Sequence, residues 1–399
     1  MNEGVYLFIL WEKARDKQDV ILKDMGKNFR ILKALDVEWS QENFSRNLSR
    51  FYGEKLPDFS HKERHCGRGK FLLLVIRDES PNMENRVTSK GTSLVNTRVF
   101  DLKAKYREWT GGGHKIHCSN SLAETRHDLA MFFGLEAKSI ISQVKSDETI
   151  RSVKKDLVGF DGWDSFDQLF YVLNNTSKYV VLRNFEDFPT AYTLDAHNDI
   201  DFLSDSSYDL RSIVNGVPVF NKGYRVHDRF TVGGESVLAD FRYVGDGYYE
   251  TEWEKRILHS RELDARGFYK PNREMYFFSL AYHALVHKRS LGEDYRKRLL
   301  TQYDALSIGE IEDHDFDGDS ILLLLTRFIT ENQYSFTEPH DRSVYFNKKV
   351  VGIRNITFKR LFITEIKDFL RPLKSPVRLT KDIILASREI VLRLLWRFK

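Results

Sequence analysis

Apolar and polar positions over the first part of the chain alternate between strand-like and helix-like spacing. Apolar runs typical of strands, among them Val5–Leu10 and Ser93–Phe100, are separated by more polar stretches with helical periodicity. Ser121 and Glu124 have the spacing of a capping box ahead of an apolar run, which predicts that a helix begins near Ser121. This alternation predicts an α/β domain over residues 1–145, whose role the sequence does not indicate.

The pattern in the middle of the chain predicts paired strands. A run rich in β-branched residues at Lys178–Arg183 is followed by an irregular segment and then by a second strand at Asp199–Leu203. Two alternating runs, Arg225–Val232 and Ser236–Tyr243, flank a Gly-Gly pair, and this arrangement predicts a β-hairpin. We therefore predict an α+β domain with a mixed sheet over residues 146–262.

Helical periodicity dominates the last part of the chain. It begins at Glu274 and predicts a helical domain over residues 263–369. The final segment, 370–399, combines an apolar stripe with many more basic than acidic residues, which predicts a basic amphipathic helix. Such a helix is expected to bind an anionic membrane surface, and packing against the helical domain is the alternative.

Composition narrows the class of protein. A chain of 399 residues is too long for one ordinary hydrophobic core, so more than one domain is expected. Two cysteines are too few for a disulfide framework, so a reducing compartment is expected. The first residues lack the features of a secretory leader, and no apolar stretch approaches the length of a membrane span. A net charge of +4 does not indicate a nucleic-acid partner. We expect a cytoplasmic protein, peripheral at the inner face of the membrane through its last helix.

Three acidic residues on predicted strands are the strongest candidates for chemistry. Asp199 and Asp201 are separated by one residue, so on a strand both side chains project from the same face. Asp240 lies on a later strand among apolar residues, where an unpaired carboxylate is costly. Close carboxylates repel one another unless a cation lies between them. The three residues therefore predict a catalytic site for Mg²⁺ or Mn²⁺.

This arrangement resembles the DNA polymerase beta superfamily of nucleotidyltransferases over roughly residues 163–250. The resemblance implies that Asp199 and Asp201 bind the metal that accompanies the nucleotide phosphates, and that Asp240 completes a second metal site. It also implies the nucleotidyltransferase fold for the α+β domain. The Gly-Ser usual in the family after the first strand is absent here, and Arg183 and Asn184 stand near that place. These two residues are expected to contact phosphate directly.

Four segments are similar in style to nucleotidyltransferase-like proteins encoded in bacterial surface-polysaccharide loci; these are YVVLRNFE, HNDIDFL, VLADFRYVGDGYYE and YFFSLAYHALVHK. The resemblance implies transfer of a nucleotidyl or phospho-polyol group from a nucleotide or nucleotide-activated donor to a sugar or glycan acceptor. The residues expected to contact substrate or phosphate are Arg183, Asn184, His197, Arg242, His283, His287 and Lys288. Two alternatives stay open, a nucleotide-sugar-dependent glycosyltransferase that uses the Asp-x-Asp motif and a non-catalytic nucleotide-binding scaffold.

A glycine-rich segment before the capped helix is a candidate second anion site. It consists of Gly111, Gly112, Gly113, His114 and Lys115. Glycines allow close approach of a ligand to the backbone, and a helix N-terminus favours anions, but a tight hairpin explains the same residues. His114 is followed closely by two further histidines without the carboxylate spacing of known zinc motifs, so zinc is not favoured there.

Overall fold

The computed structural model describes residues 4–88, 91–185, 188, 199–219, 227–306 and 315–351. Contacts divide the chain into two compact units. The first comprises Met1–Asn221, Val226–Val244 and Lys255–Asn272, and the second comprises Lys222–Arg225, Gly245–Glu254 and Arg273–Lys399. The four domains inferred from the sequence stay predictions, and the predicted basic helix at 370–399 lies outside the described residues.

The first unit begins with a five-stranded mixed sheet. The strands up to residue 154 are β1 (Val5–Leu10), β2 (Arg30–Glu38), β3 (Phe71–Arg77), β4 (Met83–Thr88), β5 (Gly91–Asn96), β6 (Ile116–Cys118) and β7 (Ile150–Lys154). The sheet has the order β6-β1-β3-β2-β7, in which only β2 and β7 are parallel. Strands β4 and β5 form a separate hairpin. Every residue of β1 is buried, as expected for a strand covered on both faces.

Helices of this region cover the sheet. They are α1 (Gln18–Met25), α2 (Phe44–Tyr52), α3 (His61–Cys66), α4 (Thr97–Trp109), α5 (Leu122–Phe133) and α6 (Ala137–Ser142), with short 3-10 helices at Glu12–Lys17 and Gly134–Glu136. The helix predicted near Ser121 is confirmed, because its hydroxyl accepts the amide hydrogen of Glu124. The strand predicted at Ser93–Phe100 is wrong in its second half. The side chain of Asn96 accepts the amide hydrogen of Arg98 and caps α4 there.

The first unit continues with a second five-stranded mixed sheet. The elements over residues 166–270, in chain order, are α7 (Phe166–Thr176), β8 (Tyr179–Arg183), β9 (Asp199–Ser204), α8 (Ser207–Val214), β10 (Val217–Pro218), β11 (His227–Val232), β12 (Glu235–Tyr243), α9 (Thr251–His259), β13 (Glu262–Leu263) and β14 (Tyr269–Lys270). The five-stranded sheet has the order β10-β11-β12-β9-β8, with β9 and β12 parallel, and β13 and β14 form a separate two-stranded sheet. The predicted hairpin is confirmed as β11 and β12, and Gly233 and Gly234 both have positive φ in its turn.

The second unit contains the helices α10 (Arg273–Val286), α11 (Glu293–Leu306), α12 (Gly318–Glu331) and α13 (Lys348–Val351). Helix α10 is buried along most of its length, and Phe278 stacks on Phe328 of α12 with ring centroids 3.8 Å apart. Within the described ranges, none of the helices is both long enough and apolar enough to cross a bilayer. The chain is therefore mixed α/β with mixed sheets, and helices follow the second sheet.

Candidate metal centre

Four polar side chains form a row across the second sheet. Asp201 on β9 is paired in register with Arg183 on β8 and with Asp240 on β12, and Asp240 is paired with His227 on β11. Residues directly opposite one another on neighbouring strands point to the same face of a sheet. Asp199 lies two residues before Asp201 on β9 and therefore shares that face. The sheet thus collects all three predicted carboxylates on one side.

The carboxylates are held by cationic neighbours at short distances. Arg183 Nη2 lies 2.5 Å from Asp201 Oδ1, and Arg242 Nη2 lies 3.0 Å from Asp240 Oδ2. His227 Nδ1 lies between two acids, 2.8 Å from Asp240 Oδ1 and 3.2 Å from Asp199 Oδ2. Two guanidinium groups and one imidazole therefore surround the three carboxylates.

The pKa values of the two inner carboxyl groups are shifted in opposite directions. Burial raises the pKa of Asp201 to about 7, with help from the neighbouring charges of Asp199 and Asp240 and against the attraction of Arg183. Burial acts in the same direction on Asp240, but the hydrogen bond from His227 and the charge of Arg242 outweigh it and hold the pKa of Asp240 below its ordinary value. Such divergent shifts in adjacent groups are common at functional sites.

Asp199, His227 and Asp240 offer the best set of metal ligands at this face. One ligand atom from each lies within 4.8 Å of the others. The imidazole nitrogen of this set, His227 Nδ1, faces both Asp240 Oδ1 and Asp199 Oδ2. Two carboxylates with one imidazole suit Mn²⁺ or Mg²⁺. Asp201 stands beside this set with one oxygen paired to Arg183.

His227 is the site residue that sequence reasoning missed. A signal for it was present, because the two-residue turn that joins β11 and β12 places Val232 opposite Glu235. Counting outwards from that pair along both strands brings His227 opposite Asp240. The register of a hairpin is set by its turn, so the predicted hairpin already contained this contact.

The other predicted contact residues are distributed over both units. Asn184 directly follows β8 and has a left-handed φ of 62°, the conformation that a glycine would adopt in a tight turn. His197 lies outside the described residues. His283, His287 and Lys288 belong to the second unit, where His283 Nδ1 lies 2.7 Å from the Tyr248 hydroxyl and the Lys288 carbonyl accepts from Asn347.

The predicted second anion site forms a loop against α3. Gly111, Gly112 and Gly113 all have positive φ, and Lys115 Nζ donates to the Thr110 carbonyl. The backbone amide of His114 donates to His65 Nδ1 on α3 at 3.4 Å. Binding of an anion by this loop stays a prediction.

The histidines that follow His114 in the sequence are directed elsewhere. His117 Nε2 lies 2.7 Å from Asp128 Oδ2, and His127 Nδ1 lies 3.0 Å from Asp128 Oδ1. Attraction to these imidazoles lowers the pKa of Asp128 to about 2, against the opposing effect of burial. These two rings therefore form a hydrogen-bonded group around one buried carboxylate.

Comparison of the chain with protein families and with curated proteins finds no match.

Proposed function

We propose that this chain is a metal-dependent transferase of the nucleotidyltransferase type that acts at phosphorus. The observation that carries the proposal is the register of β9 and β12, which sets Asp240 beside Asp201 and on the same face as Asp199. A carboxylate pair on one strand with a third acid on the adjacent strand is the arrangement that the family resemblance requires. The proposed reaction moves a nucleotidyl or phospho-polyol group from a nucleotide-activated donor to a sugar or glycan acceptor.

Each side chain at the face has a role in this proposal. A divalent ion, when bound, stabilises the negative charge that develops on a transferring phosphoryl group. Asp199, Asp240 and His227 would hold it, and Asp201 would complete the acidic set. Arg183 and Arg242 are buried at the same face and present the donors that suit phosphate oxygens. Asn184 would place its backbone amide and side chain at the end of β8, where the family has Gly-Ser.

The third acid favours this reaction over the glycosyltransferase alternative. A glycosyltransferase that uses an Asp-x-Asp motif needs only the pair on β9 to hold its nucleotide-sugar metal. A buried carboxylate at position 240 destabilises the fold, and the metal site of such an enzyme does not require it. The donor, the acceptor, the cytoplasmic location and the membrane contact of the last helix are parts of the proposal carried by the resemblance and the sequence.

The test is turnover with defined donors. Full-length protein is incubated with CTP, ATP, UTP or CDP-polyols and Mg²⁺ or Mn²⁺, and released pyrophosphate or nucleoside monophosphate is measured with and without a glycan acceptor. Asp240→Asn should abolish metal-dependent turnover, while Asp205→Asn, an exposed acid just after β9, should retain it. Turnover that survives in Asp240→Asn would exclude the proposed assignment.

A further inference from the structure

A second group of metal-binding side chains lies in the first unit, on the side of α3. His61 and His65 are four residues apart on that helix and so lie on the same face. His114, at the end of the glycine-rich loop, completes a group in which one nitrogen from each ring lies within 4.8 Å of the others. The ring centroids of His61 and His65 are 4.1 Å apart, and those of His65 and His114 are 5.7 Å apart.

The fold holds the loop against α3 by specific contacts. The thiol of Cys66 donates to the His114 carbonyl at 3.5 Å, and burial raises the pKa of that thiol to about 12, so it stays protonated. The amide of His114 approaches His65 Nδ1 at 3.4 Å. This contact holds the His65 ring beside the loop that carries His114.

Gly113 permits this approach. A Cβ atom at position 113 would lie 2.3 Å from His65 Nδ1, and the residue has a φ of +76°. Only glycine satisfies both conditions without moving the ring. Gly113 therefore allows the loop that was predicted to bind an anion to lie against the His65 ring.

The chemistry of the group differs from that of the carboxylate face. Its ligands are three imidazoles, a set that suits Zn²⁺, Co²⁺ or Ni²⁺ rather than Mg²⁺. Three protein ligands leave a fourth position for an exchangeable group. The charge of a bound divalent ion would favour an anion, such as phosphate or hydroxide, in that position.

We propose that His61, His65 and His114 form a site for a transition metal of the zinc class, with an open fourth position that accepts an anion. The site is independent of the proposed transferase reaction, because it shares no residue with the carboxylate face. Its exposed ring at position 61 gives an ion access from solvent.

The proposal is tested with untagged full-length protein that has been treated with a chelator and titrated with Co²⁺. Tetrahedral Co²⁺ absorbs visible light more strongly than octahedral Co²⁺, so wild type should develop a saturable tetrahedral spectrum at one ion per chain, and Zn²⁺ should displace it. His61→Gln, at an exposed position, should weaken Co²⁺ binding by more than about 100-fold. Gly113→Ala should weaken it also, by displacing the His65 ring.

Two variants serve as controls. His259→Gln removes an exposed histidine away from the group and should bind as wild type does, and Asp240→Asn should keep the tetrahedral spectrum. Far-UV circular dichroism establishes that each variant is folded. Unchanged binding in His61→Gln, or loss of the spectrum in Asp240→Asn, would overturn the proposal, since the ion would then lie elsewhere.

Discussion

Asp199 and Asp240 should contribute equally to metal binding and very unequally to stability. Both offer ligand atoms to the same ion, so Asp199→Asn and Asp240→Asn should each remove metal-dependent stabilisation. Without metal, their surroundings differ. The Asp199 side chain is 24% exposed and lies beside the His227 ring, whereas Asp240 is 11% exposed and is held by His227 and by Arg242, itself 4% exposed.

The magnitudes follow from these contacts. Loss of one partner of a buried ion pair costs about 3–5 kcal/mol, because it leaves a buried charge uncompensated, and this applies to Asp240→Asn. A partly exposed ion pair contributes about 0–1 kcal/mol, and this applies to Asp199→Asn. The free energies of unfolding of the two variants should therefore differ by about 3 kcal/mol in the absence of metal, with Asp199→Asn close to wild type.

Urea unfolding measures both effects. Wild type and both variants are unfolded with a chelator present and again in excess Mg²⁺ or Mn²⁺. Wild type should gain about 2.7 kcal/mol at a hundredfold excess of metal over its dissociation constant, and neither variant should gain. If Asp199→Asn is as unstable as Asp240→Asn without metal, then the contacts of Asp240 with His227 and Arg242 do not stabilise the sheet as proposed. If either variant keeps the full metal effect, its carboxylate is not a ligand.

Three further predictions follow from other contacts. Burial, reinforced by the charge of Asp246, raises the pKa of Glu254 to about 8 from 4.5, so the folded protein binds that proton more tightly than the unfolded chain. Stability measured by urea unfolding should therefore fall as pH rises from 4.5 to about 8, and Glu254→Gln should flatten the decline. Arg50 is buried and donates to the carbonyls of Val158, Ser212 and Ile213. Arg50→Met should therefore lower the free energy of unfolding by about 3 kcal/mol in the same assay. A loss near zero would contradict these contacts. Asn184→Val should lower the free energy of unfolding by about 1–2 kcal/mol, because residue 184 has a left-handed φ. Asn184→Gly should keep the stability of the protein, and it should lower turnover if the Asn184 side chain contacts phosphate.

Local signals in the sequence were sufficient for several elements. Ser121 and Glu124 predicted the start of α5 because a cap depends on neighbouring residues. The alternation around the Gly-Gly pair predicted β11 and β12 for the same reason. The same-face placement of Asp199 and Asp201 follows from the two-residue period of a strand and needs no tertiary information.

Contacts between distant segments could not be predicted in this way. The parallel pairing of β9 with β12 depends on how the intervening chain crosses the sheet, and no residue in either strand encodes it alone. The group formed by His61, His65 and His114 was not predicted, because His114 was considered only together with the histidines that follow it closely in the sequence. His117 lies on β6 with its ring directed to Asp128, while His114 meets His65, which is 49 residues away.

The pairing of acids with guanidinium and imidazole groups along the second sheet has a consequence for how an ion would come and go. Structural zinc sites fold only around their metal, but here Arg183 and Arg242 already pair with two of the carboxylates. A cation bound at this face would have to compete with those two guanidinium groups, which would lower its affinity and speed its release. In the proposed site the ion would therefore exchange while the surrounding sheet stays intact.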